Sequence, residues 1–361
     1  MRFLLSGYYG FGNAGDEAVL ASLLQGLRQR FPEAELCVLS SAPGTTSNLY
    51  GVEAAQRWSV AEVWRALGRS DLLIQGGGSL LQDATSKVSP VYYLGILRMA
   101  RLRRVPSVIF AQGFGPLNTS VLRRWAASEF RRAAAVTLRD AASVEQVRSL
   151  PVTSPEPTLV GDPAVLLEPD LDAARTSLRE AEVDLSAGYA LLTLRQWPQT
   201  EQVVEACGQL VRHLHNAHGL ETVLVPFQEP EDLAPLQQVV SASPGAHLLT
   251  GLGRPQHFVG LVSLARLAVC MRLHGIIFAA GQQVPAIGLS YDPKLDAFAA
   301  RAGQPVLACG SCTGDALCAV VDSALTQAQT KAADRAVAAA EVRSAAETAF
   351  EVLAEVVKGL R

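Results

Sequence analysis

Short apolar runs alternate with longer amphipathic stretches along most of the chain. Arg2–Ser6 reads as a strand, and Asp16–Arg30 as a helix with Val19, Leu23, Leu24 and Leu27 on one face. The same pattern predicts strands at Leu36–Ser40, Asp71–Gln75, Ser107–Ala111 and Ala135–Leu138, with a short one near Leu159–Gly161. Helices fall between them at Ser59–Gly68, Pro90–Arg104, Thr119–Ala133 and Asp140–Leu150. A second series of strands follows at Tyr189–Leu194, Thr222–Pro226, Ala246–Leu249, Leu267–Met271, Ala286–Leu289 and Val306–Ala308. The strands are continuous apolar runs, which suits parallel strands covered on both faces. Repeated strand–helix alternation predicts an α/β protein of two doubly wound, Rossmann-like domains facing a cleft. The domains are expected at residues 1–168 and 188–325, with a linker at Glu168–Gly188 that carries charge and few strand formers. Residues 326–361 form a helical tail. Its Ala-rich part, Lys331–Val357, reads as one or two helices, either standing alone or crossing back to the first domain.

Composition narrows the function classes. With 361 residues, 49% hydrophobic and 18% charged, the chain is not intrinsically disordered. Lys+Arg is 31 and Asp+Glu is 34, so the formal net charge of −3 argues against a nucleic-acid binder, while leaving room for a small basic pocket. The Cys309–Cys312 pair has no second pair or suitably spaced His, so it reads as buried thiols in a reducing compartment. His213, His215 and His218 fall late in one helix, on its polar face, and no metal is expected there or elsewhere. The start of the chain carries too short an apolar run for a signal peptide, and Arg266, Arg272 and His274 interrupt the apolar stretch Phe258–Ala280. The expectation is a soluble, cytoplasmic protein.

Candidate chemistry gathers after the strands. In open parallel sheets, ligands bind beyond the carboxyl ends of the strands. The Gly-rich and polar segments Gly7–Asp16, Gly76–Asp83, Gln112–Pro116, Arg139–Asp140, Arg195–Pro198, Arg272–Gly275 and Tyr291–Lys294 all fall at such ends. Gly10, Gly12 and Gly15 spell G-x-G-x-x-G, but the second strand ends Leu39-Ser40-Ser41, without the acidic residue that a dinucleotide ribose needs. The glycines therefore make a tight turn, or expose backbone N–H groups and a helix start to a polar ligand. Asp16 either complements the helix dipole or has a catalytic or acceptor-binding role. Arg139 either pairs locally or grips an anion. His274 opens a helix, where the dipole disfavours imidazolium and a bound anion would restore it; that fits a proton donor that charges with substrate. Lys294 is either a solvated helix-start lysine or a point charge for a phosphate.

Together the segments GYYGFGNAGDEAVL, QGGGSLLQD with Thr85-Ser86 and Tyr92-Tyr93, AQGFGP, TLRD, MRLHGIIFA and SYDPK resemble the polysaccharide pyruvyl transferase family, nearest its bacterial secondary cell-wall polymer branch. The resemblance runs from about Gly7 to Lys294 and implies a GT-B-like fold. It implies transfer of the pyruvyl group of phosphoenolpyruvate onto two sugar hydroxyls, as a 4,6-ketal on ManNAc of a lipid-linked precursor whose product docks surface-layer proteins. By the same resemblance Arg139, Arg272 and Lys294 bind the donor and His274 is the active-site histidine. Asn13, Gly77, Gly78 and Arg195 are assigned to substrate, and Asp16 or Asp83 to the base. The expected partners are phosphoenolpyruvate and a saccharide acceptor, with no cofactor, no metal and no nucleic acid. A lipid-linked acceptor implies contact with the inner membrane face through Arg98, Arg101, Arg103, Arg104, Arg123, Arg124 and Trp125; ordinary solvated helix faces are the alternative. The rival readings are a GT-B glycosyltransferase using a nucleotide sugar and a non-catalytic sugar-binding protein.

Overall fold

A computed structural model describes residues 1–84, 86–151, 155–198 and 200–360. The chain divides into two compact units. The first holds Met1–Phe11, Asp16–Pro163 and the chain from Arg343 onward; the second holds Gly12–Gly15 and Ala164–Val342.

In chain order the first unit runs β1 (Arg2–Ser6), α1 (Ala14–Arg30), β2 (Glu35–Ser40), α2 (Pro43–Tyr50), β3 (Glu53–Gln56), α3 (Val60–Leu67), β4 (Leu72–Gly76), α4 (Val88–Leu102), β5 (Ser107–Gln112), α5 (Ser120–Phe130), β6 (Ala135–Leu138), α6 (Ala141–Arg148) and β7 (Thr158–Leu159). The strands form one parallel sheet in the order β3-β2-β1-β4-β5-β6-β7. Every residue of β1, β4, β5 and β6 is buried, which is why these strands are mostly apolar on both faces, with polar residues such as Ser6, Gln75 and Gln112 near their carboxyl ends.

The second unit runs α7 (Leu171–Glu180), β8 (Tyr189–Thr193), α8 (Thr200–His213), β9 (Glu221–Leu224), α9 (Leu233–Ser241), β10 (Ala246–Leu248), α10 (Pro255–Leu264), β11 (Leu267–Cys270), α11 (Leu273–Gly281), β12 (Ala286–Ser290), α12 (Pro293–Arg301), β13 (Val306–Ala308), α13 (Gly314–Thr326) and the start of α14 (Ala332–Gly359). Its parallel sheet has the order β10-β9-β8-β11-β12-β13. Both sheets therefore reverse strand order beside their first strand, at β1/β4 and β8/β11. Such switch points are where doubly wound sheets bind ligands.

Two elements depart from the sequence reading. The α2–β3 pair was not anticipated, because β3 is an edge strand with no fully buried residue and carries little apolar signal. The expected linker contains α7, which buries Ala174 and Leu178 and is capped by Asp170 accepting from the Ala173 N–H at 3.0 Å. The tail is a single helix, α14, and follows the expected alternative of returning to the first unit. Its later part belongs to the first unit, where Phe350 meets Phe110 edge-on at 5.0 Å and Arg30 lies 4.7 Å above the Phe350 ring and pairs with Glu347.

Candidate active site

In the second unit, β8, β11 and β12 are neighbours, with Thr193 opposite Cys270 and Cys270 opposite Gly288. The loops that follow them therefore open on one rim. They carry Arg195, then Arg272 and His274, then Tyr291 and Lys294. Arg272 is extended and precedes the first turn of α11, which places His274 in that turn. Pro293 opens α12, and Asp292 accepts from the Lys294 N–H at 2.9 Å, so Lys294 also begins a helix.

Arg272 is held from below. Its Nε donates to Asp232 Oδ2 at 3.0 Å and its Nη2 pairs with Oδ1. Asp232 is fully buried and also accepts from the N–H groups of Phe227 (3.1 Å) and Gln228 (3.0 Å). A bidentate pair of this kind fixes the guanidinium plane. Arg195 donates to the Tyr291 hydroxyl at 2.8 Å and lies over the Tyr291 and Trp197 rings, 5.2 and 5.6 Å from their centroids.

His274 explains one glycine of the G-x-G-x-x-G run. A Cβ on Gly15 would lie 2.0 Å from His274 Nδ1, so the imidazole packs closely against that backbone. The last glycine of the motif makes room for the histidine. Gly15→Ala is expected to leave the fold intact, since Ala suits a helix better by about 0.5–1 kcal/mol, while displacing the ring and lowering turnover. Unfolding and turnover measured on one sample test this, and unchanged turnover would show that the ring position does not matter. Asn13 is occupied locally: its Oδ1 accepts from Gly15 N at 3.0 Å and its Nδ2 donates to Gln228 at 3.1 Å. Its visible role is to dock this turn beside the chain that follows β9, helped by the bond from Ala14 N to Phe227 O at 2.7 Å.

In the first unit, the loop after β4 bends through Gly77 and Gly78, both at positive φ. A Cβ on Gly78 would lie 2.5 Å from Asp16 Oδ1, so the Asp16 carboxylate rests on that backbone. Arg139, at the end of β6, pairs with Asp162 at 2.5 Å and donates to Ser79 Oγ at 3.2 Å. Burial opposes the Arg139 charge, but Asp162, Asp140 and Asp16 outweigh it and raise the pKa. Both arginines expected to grip the donor thus carry a buried carboxylate partner, which makes them oriented groups with much of their charge already balanced.

Asp83 has a different task. It accepts from the N–H groups of Asn118 and Thr119 and from the Thr119 hydroxyl, at 2.7 to 3.0 Å, at the start of α5. Burial is the largest single influence and opposes its charge, but these bonds together overcome it and lower the carboxyl pKa. A carboxylate committed in this way is a poor base. Because the folded pKa is depressed, its stabilisation is present above the unfolded value and is lost as pH falls through the folded one. Asp83→Asn is expected to leave turnover close to that of the parent and to flatten the acid limb of a stability–pH curve; turnover collapsing as for an Asp16 variant would restore Asp83 as a base.

Sequence reasoning missed a cavity of about 460 Å³ in the first unit, lined by Tyr8, Phe11, Asp16, Arg57, Trp58 and Tyr92 among others. Tyr8 stacks on Phe11 at 4.1 Å. Arg57 is buried and lies 4.4 to 4.9 Å from the Phe11, Trp58 and Tyr92 ring centroids, donating to Gly7 O at 2.8 Å and to Tyr93 OH at 3.1 Å. The usable signal was Arg57-Trp58 after a weak edge strand. A larger cavity, about 730 Å³, opens before β12 and β13 and holds none of the candidate residues. It lies at the amino ends of the strands, away from the chemistry-bearing rim.

Cys309 and Cys312 are free and buried, and burial pushes each thiol up to about 11, which makes them unreactive at neutral pH. Several arginines read as a membrane-docking face are engaged within the first unit: Arg101 pairs with Glu129 at 3.5 Å, Arg103 lies 4.9 Å over Trp64, and Arg123 donates to Ser149 O at 2.9 Å. Among the described residues, no helix is long and apolar enough to cross a membrane.

The family profile for polysaccharide pyruvyl transferases matches residues 13–293, from the turn at Asn13 to the start of α12. The chain belongs to the polysaccharide pyruvyl transferase family. The match takes in the segments bearing Asp16, Arg139, Arg195, Arg272 and His274. Pyruvyl transfer involving a polysaccharide is therefore the activity of the family to which this transferase belongs. No curated protein matched significantly. Among solved structures, the pyruvyl transferase chain is similar to HepE of Anabaena in complex with UDP-glucose, at 14% identity and a TM-score of 0.66, over 99% of this chain and 100% of that one. It is similar to the UDP-GlcNAc 2-epimerase of Neisseria meningitidis bound to UDP-GlcNAc, at 12% identity and 0.61, over 98% and 100%. The Methanocaldococcus jannaschii UDP-GlcNAc 2-epimerase gives 11% and 0.63, over 90% and 92%. Identities this low establish the fold: two parallel α/β sheets of the GT-B type.

Proposed function

We propose that this protein moves the pyruvyl group of phosphoenolpyruvate onto two hydroxyls of a cell-wall polysaccharide sugar, as a 4,6-ketal on ManNAc of a lipid-linked precursor. The observation that carries the donor reading is the rim of the second unit. An oriented Arg272, Arg195, Lys294 and the first turn of α11 supply cationic and N–H groups suited to a carboxylate and a phosphate. His274 stands among them as the acid. Arg139 of the first unit, with Ser79 and the backbone of Gly77 and Gly78, is the second anion-binding element.

The chemistry balances without an outside reagent. His274 protonates C3 of the enol phosphate, and an oxocarbenium-like centre develops at C2. One sugar hydroxyl adds there and gives its proton to the base, Asp16. Phosphate leaves with the C2–O bond electrons, and the second hydroxyl closes the ketal. Of the two hydroxyl protons, one replaces the proton given to C3 and one leaves with phosphate. The aromatic cavity beside Asp16 suits the acceptor, since sugar C–H faces stack on aromatic rings while Arg57 and Asp16 take hydroxyls. Work on a lipid-linked acceptor would put the protein in the cytoplasm, at the inner membrane face.

The test is incubation with phosphoenolpyruvate and a panel of lipid-linked disaccharide analogues, read by phosphate release and by mass. Acceptor-dependent phosphate release with a pyruvylated product is the expected result. Release of nucleotide from a sugar nucleotide, with no use of phosphoenolpyruvate, would replace this reading by the glycosyltransferase one, and binding without turnover by the sugar-binding one.

A further inference from the structure

We propose a divalent transition-metal site of the zinc class at His213, His218 and Asp322, in the second unit and apart from the proposed chemistry. His213 ends α8, and the chain then continues from Leu214 to His218 as a π-helical turn, closed by Gly219 in the left-handed region. This turn is what makes the site. In an α-helix, residues five apart point about 140° away from each other. The wider turn brings them onto one face, and such turns gather at functional positions. Leu214 is fully buried and pins the turn from inside.

The two imidazoles converge on α13, which packs along α8. His213 Nε2 lies 2.8 Å and His218 Nε2 2.7 Å from the same atom, Asp322 Oδ1. The rings stand edge to face, their centroids 5.5 Å apart. The three ligand atoms all lie within 4.8 Å of one another. A tetrahedral ion with bonds near ~2.1 Å holds its ligand atoms about 3.4 Å apart, so shifts of about an ångström close the site. Both histidines are about 30% exposed, which leaves a path for the ion and a fourth position for water. His215, on the same turn, faces Glu221 at 3.7 Å and takes no part.

Two imidazoles and one carboxylate favour Zn²⁺, Ni²⁺ or Cu²⁺ over Mg²⁺ or Ca²⁺, which prefer oxygen ligands throughout. Nothing at this cluster suggests catalysis. α8 runs back from the rim that bears His274, so the cluster sits toward the opposite ends of the strands. The ion would staple α8 to α13.

The test uses full-length protein stripped with chelator, in phosphate-free buffer, titrated calorimetrically with zinc chloride. One saturable equivalent and a raised melting temperature are expected. Loss of even a group that only hydrogen-bonds a metal ligand costs a site about 10–100-fold, so His218→Gln and Asp322→Asn are each expected to weaken binding at least about tenfold, with circular dichroism and turnover unchanged. His215→Gln is expected to bind as the parent does. Absence of saturable binding would overturn the proposal. So would an unchanged isotherm in the His213→Gln/His218→Gln double variant, which would place the zinc elsewhere, for example on the cysteines.

Discussion

Replacing His274 by Gln or Ala is expected to lower turnover by about 10²–10⁴-fold, the usual worth of a positioned general acid, with the cooperative unfolding of the protein preserved. The ring, in the first turn of α11, lies against Gly15 and is partly exposed, so its removal opens no large core cavity. Gln keeps polarity and approximate size but cannot deliver a proton at neutral pH, so both variants should fail alike. Acceptor-dependent phosphate release from phosphoenolpyruvate measures this, with thermal melts run in parallel. Near-normal turnover in either variant would remove His274 from the mechanism.

Asp232→Ala is expected to destabilise the second unit by about 3–5 kcal/mol, the range seen when one partner of a buried ion pair is removed. The substitution strands the Arg272 guanidinium, whose side chain is only 12% exposed, and leaves the N–H groups of Phe227 and Gln228 without their acceptor. The double variant Asp232→Ala/Arg272→Met should recover part of that loss, because no unpaired charge remains, though the two N–H groups stay unsatisfied. Urea unfolding of the parent and both variants reads the difference. A single variant as stable as the parent would mean that Asp232 carries no such load.

The two cases differ in how visible they were along the chain. His274 and Lys294 stand out because each follows a short apolar run and begins a helix, which places them at strand carboxyl ends before any coordinates are known. Asp232 lies in the acidic run Gln228-Glu229-Pro230-Glu231-Asp232, where nothing in the pattern sets it apart from its exposed neighbours; yet it is the fully buried member. Asp162 is likewise an unremarked Asp beyond a two-residue strand. Arg57 follows an edge strand too weak to register, and Tyr8, Phe11 and Tyr92 were noted as parts of motifs without a common cavity to line. The three histidines of the α8 segment looked like a polar helix face, because an α-helical wheel cannot show a π turn.

The chain by itself determined the two parallel sheets and which segments occupy their carboxyl-end rims. A strand covered on both faces must be continuously apolar, and what cannot be buried there is pushed to its ends. Only the tertiary structure decided which charge faces which. Arg272 meets Asp232 forty residues away, and Arg139 meets Asp162 twenty-three away. Such pairings depend on how strands are ordered in the sheet, and no local periodicity encodes that order.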